Sequence, residues 1–429
     1  MLRLFPQTTQ VQKNHLVIGG CTAGTLAGEF GTPLYVFDEA TLRGKCTEYR
    51  EGFSQRYPNS LVIYACKAFI NRALAQLFNE ERLGLEVVSA GELAIAESVG
   101  FPMERVYFNG NNKSRQELEL AIRWGVGRIV VDNLYELSLL NEVAKNAGSR
   151  QEILLRLSPG VDPHTHAHLT TGIIDSKFGF PLDKVEEALT SAMSSLELIG
   201  MHFHIGSQIF ELAPYKQAIG IVLDFAAEMS RKHSFKLKEL SIGGGLAITY
   251  TEDSPAPTIG ELAEATASTL LEKSEALVLE PPRLIVEPGR SIVGPAGVAL
   301  YTVGAIKEIP GVRKYVSVDG GIADNIRPAL YGAKYEAIVA NKVVGEKSEK
   351  VTVAGKLCQS GDILIKDIDL PKLAPGDVIA VPCCGAYCLP MASNYNAALR
   401  PAIVMVNDGR ARLIRRRESY EDLMNCDII

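Results

Sequence analysis

The residues of this chain best placed to do chemistry are a lysine after an apolar run, a triple glycine and a Glu-Pro-Gly-Arg tract. Lys67 lies in YACKAF, directly after the run LVIYA. At the end of a buried strand its amine is expected to be partly desolvated, and so a good Schiff-base nucleophile. Taken alone, a surface lysine opening a helix explains it as well. Gly243, Gly244 and Gly245 follow LSI, so backbone N–H groups there can come close to an anion, although tight turns use the same residues. Glu287-Pro288-Gly289-Arg290 ends another apolar run. Gly289 and Arg290 are candidates for a second phosphate contact. Glu287 is a carboxylate able to pair with a pyridinium nitrogen, the partner that keeps such a ring an electron sink.

These residues need a scaffold that brings distant segments together. Between residues 61 and 287 the chain alternates short apolar runs with amphipathic stretches. The runs are LVIYA (61–65), LEVV (85–88), RVYF (105–108), RIVV (128–131), EILLRL (152–157), ELIGMHFHI (197–205), KELSI (238–242) and RLIVE (283–287). Most are continuous rather than alternating, as in parallel strands buried on both faces. Eight strand–helix units predict an α/β fold, a (β/α)8 TIM-type barrel over residues 38–290, with functional groups at the C-terminal strand ends. A doubly wound open sheet is the second architecture, but it leaves units surplus. Lys67 then follows the first strand, Ser89 to Glu92 the second, Asn109 to Ser114 the third and Arg156 the fifth. His204 and Ser207 end the sixth, Gly243 to Gly245 the seventh and Glu287 to Arg290 the eighth. Beyond Arg290, short β-rich runs between Gly, Pro and Asp turns predict a C-terminal all-β domain over residues 291–429. Residues 1–37, with PLYVF, are expected to add strands to it.

Two domains suit a chain of 429 residues. A net charge of -6 without a basic block argues against nucleic acid or an anionic membrane as partner and points to a small-molecule substrate. No apolar run approaches the roughly 18 residues of a membrane span, and the first residues lack a signal-peptide pattern. A cytoplasmic location is expected, with the eight cysteines as free thiols. No metal site is expected. Cys383, Cys384 and Cys388 lack a CxxC spacing or a second pair, and His164, His166 and His168 read as polar loop contacts.

The segments YACKAF, EVVSAGEL, GNNKS, PGVDPHTH, TGIIDSKFGF, GMHFHIGSQI, GGG, EPGRSIV, CQSGD and GAYCLPMASNYN, in this order, resemble diaminopimelate decarboxylases. These belong to the fold-type III pyridoxal-phosphate enzymes, with the ornithine and arginine decarboxylases and alanine racemase. The resemblance implies a barrel plus β-domain, pyridoxal 5'-phosphate as cofactor, and a homodimer with active sites shared across its interface. By the same resemblance Lys67 would bind the cofactor covalently and His204 would lie against its ring. Ser207, Gly244, Gly245, Gly289 and Arg290 would hold the phosphate or adjoining groups, and Glu287 the ring nitrogen. Tyr387 would contact cofactor and substrate. Cys358 would enter from the partner subunit to help protonate the carbanion left by carbon dioxide; a buried structural thiol is the alternative, but the Gln-Ser-Gly-Asp loop that follows favours an exposed one. Arg290, Arg327 and Tyr331 look like the substrate-binding set; the guanidinium of Arg327 suits a substrate with a second carboxylate.

Two positions depart from the family pattern. Gln359 stands where Glu is usual, at the distal end of the substrate, keeping a hydrogen-bonding oxygen but losing the charge. Asn109 stands where His is usual. The implied reaction is decarboxylation of meso-2,6-diaminopimelate to L-lysine, the last step of lysine biosynthesis. Alternatives are a decarboxylase of another diamino acid, of the D-ornithine, D-lysine or carboxynorspermidine type, or a non-catalytic regulatory homologue.

Overall fold

The computed structural model describes residues 1–162, 176–191 and 194–429; the histidine segment 164–168 lies outside them. Residues 45–247 and 256–289 form one compact unit, and residues 1–44, 248–255 and 290–429 form a second.

The first unit is the expected barrel. Its eight strands are β1 (Ser60–Ala65), β2 (Gly84–Val87), β3 (Val106–Phe108), β4 (Arg128–Val131), β5 (Gln151–Ser158), β6 (Leu196–Phe203), β7 (Glu239–Ser241) and β8 (Arg283–Val286). Each pairs in parallel with the next, and β8 pairs with β1 to close the ring. Ile63, Tyr107, Val130, Leu154, Ile199 and Ile285, from six of the strands, pack into one buried cluster, the filled interior expected of a small barrel.

Local sequence sets where each strand hands over to its helix. Asn71, Ser89, Ser114 and Asn133 each accept a hydrogen bond from the backbone N–H three residues on, and so start the helices after β1 to β4. Ser114 and Glu117 complete a capping box. The loops after β1 to β4 are therefore short and anchored; the first carries Lys67 and the third Asn109.

The second unit is β-rich. Its main sheet runs in the order Ile363–Leu370, Glu349–Ala354, Arg313–Val318, Gly297–Ile309, Leu34–Asp38, Ala402–Asn407, Arg410–Arg415. The N-terminal strand Leu34–Asp38 is wholly buried between an antiparallel neighbour and a parallel one, which is why PLYVF reads as continuous apolar sequence.

The division differs from the sequence reading in detail. Arg290 and the excursion 248–255 go with the β-rich unit, and the barrel unit begins at Lys45 rather than at residue 38. So short an excursion carries no hydrophobic period that could mark it. Among the described residues, no helix is long and apolar enough to cross a membrane.

Candidate active site

At the mouth of the barrel, β1 ends in the single turn Cys66–Ala68. The Tyr64 hydroxyl donates to the Phe69 carbonyl at 2.6 Å and pins this turn. The Lys67 side chain is 37% exposed and so partly desolvated, with Nζ 3.9 Å from the buried Glu86 carboxylate on β2. Burial pushes the Glu86 carboxyl up, against the pull of Lys67. Burial, with Glu86 nearby, also lifts Glu92 to about 7.

Opposite charges and hydrogen bonds order the far side. Ser241 Oγ donates to Glu287 Oε1 at 2.7 Å, and His202 Nε2 lies 3.2 Å from Glu287 Oε2. Burial alone would raise the Glu287 carboxyl, but His202, the Ser241 hydroxyl and Lys67 together hold it below the usual range. His204 is held well below the ordinary histidine value, first by burial and then by its neighbours Lys67, Arg156 and His202. Gly244 N–H donates to His204 Nδ1 at 3.3 Å. His204 is thus a neutral imidazole with its proton on Nε2.

The glycine loop is tied to the loop carrying Ser207. Ile209 N–H donates to the Gly245 carbonyl and Ala247 N–H to the Ile209 carbonyl. A Cβ on Gly244 would fall 2.1 Å from the Glu287 carbonyl oxygen, and one on Gly245 would fall 2.3 Å from that of Gly206, at a φ of +106. Only glycine fits these two positions. Gly289 lies over Ala65 and Ala68, so it borders the lysine turn. The barrel unit thus gathers Lys67, His204, Ser207, Gly244, Gly245, Glu287 and Gly289 at one end.

The β-rich unit assembles its own group around Tyr250. Arg290 donates through Nη1 to the Tyr250 hydroxyl at 2.8 Å and lies 4.6 Å over the Tyr387 ring. Tyr387 itself has φ +59, an uncommon backbone for a bulky residue. Arg327 is buried, stacks 4.7 Å from the Tyr250 ring and donates to the Tyr335 hydroxyl. Burial opposes its charge, yet Tyr250, Tyr335 and Cys388 raise its pKa above the usual arginine value. Among the described residues it makes no ion pair with a carboxylate. Tyr331 ends the same short helix, Arg327–Tyr331, four residues on and so on one face with Arg327.

Cys358 and Gln359 lie on an exposed loop, as the Gln-Ser-Gly-Asp run suggests. The loop is nevertheless firmly held. Asp362 accepts from Leu357 N and Ile322 N, the Tyr395 hydroxyl donates to the Cys358 carbonyl, and Cys358 N donates to Asn396 Oδ1. Gln359 Oε1 accepts from Gly361 N at 2.8 Å. The oxygen that the sequence reading assigned to substrate is therefore used within the turn, and the amide N–H2 is what remains to offer.

The sequence reading passed over several groups. Glu86 could have been found as a lone charge inside an apolar strand, and His202 by its spacing of two from His204. Tyr250 and Tyr335 carry no sequence signal, since only the fold brings them to the arginines. Cys383 Sγ donates to the Leu4 and Thr249 carbonyls, Cys384 Sγ to that of Pro382 and Cys388 Sγ to that of Ala386. Among the described residues no cluster of His, Cys, Asp and Glu could hold a metal.

A family profile described as the pyridoxal-binding domain of pyridoxal-dependent decarboxylases matches residues 40–294. Diaminopimelate decarboxylase of Bacillus subtilis (strain 168) is 48% identical over 429 residues, 99% of this chain and 98% of that one. The chain belongs to the diaminopimelate decarboxylase family. The enzyme of that name from Synechocystis is 45% identical, covering 99% of this chain and 93% of its own. The crystal structure of diaminopimelate decarboxylase from M. jannaschii in complex with L-lysine aligns with a TM-score of 0.93 at 37% identity, covering 99% of this chain and 98% of that one.

Membership makes pyridoxal phosphate the cofactor, and the barrel mouth fits it. An amine, an ionised carboxylate and a loop where only glycine fits suit its aldehyde, ring nitrogen and phosphate. Polar atoms without a protein hydrogen bond, namely both amide atoms of buried Asn109 and Glu86 Oε2, suit a polar ligand, because orphaned buried groups are costly.

Proposed function

We propose that this enzyme decarboxylates meso-2,6-diaminopimelate to L-lysine and carbon dioxide, the last step of lysine biosynthesis. Arg327 carries the choice of substrate. A buried guanidinium that keeps its charge beside phenol groups calls for an anion, and the second carboxylate of diaminopimelate answers it where ornithine or lysine has none. Close relatives named for the same reaction support this reading. With pyridoxal phosphate carrying the cofactor, the expected result is L-lysine and carbon dioxide in equal amounts from meso-diaminopimelate. Carbon dioxide without lysine, or no release at all, would contradict it.

Bound pyridoxal phosphate supplies a ring that takes up the electron pair left by departing carbon dioxide. Lys67 is the amine that holds it, and Glu287 keeps a proton on its ring nitrogen. His204 would lie against the ring by the family resemblance, and as a neutral imidazole would add no competing charge there. Ser207, Gly244, Gly245, Gly289 and Arg290 hold the phosphate end, while Tyr387, Tyr331, Arg290 and Arg327 orient substrate. The enzyme works in the cytoplasm as a homodimer, and Cys358 of the partner subunit delivers the proton that replaces the lost carboxylate. An exposed thiol on an over-determined loop suits delivery to another chain. Mixing inactive Lys67→Ala with inactive Cys358→Ala protein should therefore restore part of the activity, about a quarter of the sites in a statistical mixture, where one heterodimer site is intact. No recovery after verified subunit exchange would exclude a shared site.

A second reading, decarboxylation of another diamino acid, rests on Gln359, which replaces the usual Glu and has its Oε1 taken up by Gly361 N. If diaminopimelate is the substrate, Gln359→Glu should lower its KM about fivefold with kcat little changed, since charge-assisted hydrogen bonds exceed neutral ones by about 1 kcal/mol. One carboxylate oxygen can still accept from Gly361 N, leaving the other for the ammonium. A raised KM would favour the second reading.

A further inference from the structure

We infer that His202 is a positioning residue for the reaction: its Nε2–H donates to Glu287 and, with Ser241, keeps that carboxylate oriented and ionised for the cofactor's ring nitrogen. The inference rests on the role of Glu287 proposed above. His202 and His204 are two residues apart at the end of β6, so their side chains leave the strand on one face, His202 one pleat deeper. His202 is only 1% exposed, so it acts through Glu287 rather than on substrate.

The hydrogen-bond pattern assigns its proton. Glu287 accepts on both oxygens, from Ser241 on Oε1 at 2.7 Å and from His202 Nε2 on Oε2 at 3.2 Å. His202 Nδ1 is buried and has no hydrogen-bond partner among the described residues. A bare lone pair there costs little, whereas a buried N–H without an acceptor is expensive. The neutral tautomer with hydrogen on Nε2 is therefore the one that fits. Lys67, Glu86, Arg156 and Asp132, the last 3.9 Å from Arg156, are the other charged groups acting on this cluster. Within it His202 and Ser241 are the donors in hydrogen-bond reach of Glu287 and so orient it. Burial would otherwise push the Glu287 carboxyl up, and a neutral acid cannot hold a protonated ring nitrogen.

Affinity of the apoprotein for pyridoxal phosphate, compared with its analogue bearing CH in place of the ring nitrogen, isolates this role. Native protein should prefer the nitrogen-containing ring. His202→Phe keeps a ring but loses the donor, and the preference should shrink roughly tenfold, the equivalent of one unit of carboxyl pKa. His202→Gln, whose amide N–H can replace Nε2–H, should restore most of it. Equal weakening of both ligands in His202→Phe would show a merely structural residue and overturn the inference. Glu287→Gln separates the two levels. If it abolishes the preference while His202→Phe leaves it intact, only the role of His202 fails; if it leaves the preference intact, the role of Glu287 fails, and this inference with it. Should His202→Phe not fold, nitrogen-15 NMR of histidine-labelled native apoprotein decides, since a proton on Nδ1 rather than Nε2 of His202 would overturn the assignment.

Discussion

Lys67→Ala should lower kcat by roughly ten-thousandfold or more, the scale of losing a covalent or proton-transferring group, and the purified protein should lose its yellow absorbance. The turn that carries the lysine is held by the Tyr64 hydroxyl and the strand before it, not by the lysine itself. Loss of the amine should therefore leave folding intact, and thermal melting of the variant should match that of the native apoprotein closely. Glu86 would lose its cationic neighbour at 3.9 Å and would respond by taking a proton rather than by rearranging the barrel. Borohydride treatment of native protein followed by peptide mapping checks the same residue independently. The cofactor should be fixed to a peptide containing Lys67, and labelling at any other lysine would refute the assignment.

Arg327→Ala should cut kcat/KM for meso-diaminopimelate by roughly two to three orders of magnitude, because removing one partner of a buried ion pair costs about 3–5 kcal/mol. Substrates without a distal carboxylate should lose far less. The comparison between substrates matters, since Arg327 also stacks on Tyr250 and donates to Tyr335, and truncation leaves a cavity that harms every substrate alike. Arg327→Lys supplies the control: it keeps charge but loses the planar fork, and should fall between the two. A uniform loss across substrates in both variants would assign Arg327 to packing.

Much of this was legible in the chain because buried parallel strands need continuous apolar runs. LVIYA and RIVV lie on observed strands to within a residue or two, and the N-capping Ser and Asn residues mark the strand-end loops where functional groups collect. The strand-end positions of Lys67, Gly244, Gly245 and Glu287 could be read for the same reason: each ends such a run or follows it within three residues. What could not be read depends on side-chain direction or on non-local approach. The carbonyl of Gln359 turns inward because its own turn supplies a backbone N–H at Gly361, and no residue type announces that. Tyr250 meets Arg290 and Arg327 only because 248–255 leaves the barrel unit for the β-rich one. His202 was hidden by being half of a pair whose outer member took the attention, although the alternation of GMHFHI already places both on one face.

The most direct measurement is a substrate panel on the native protein loaded with pyridoxal phosphate, following carbon dioxide and the amine product for meso-diaminopimelate, lysine, ornithine and arginine and their D-forms. The account predicts the highest kcat/KM for meso-diaminopimelate, by about a hundredfold or more given one charge-assisted contact to a distal carboxylate, with L-lysine as the product. A higher kcat/KM for any diamino acid lacking the second carboxylate would contradict it.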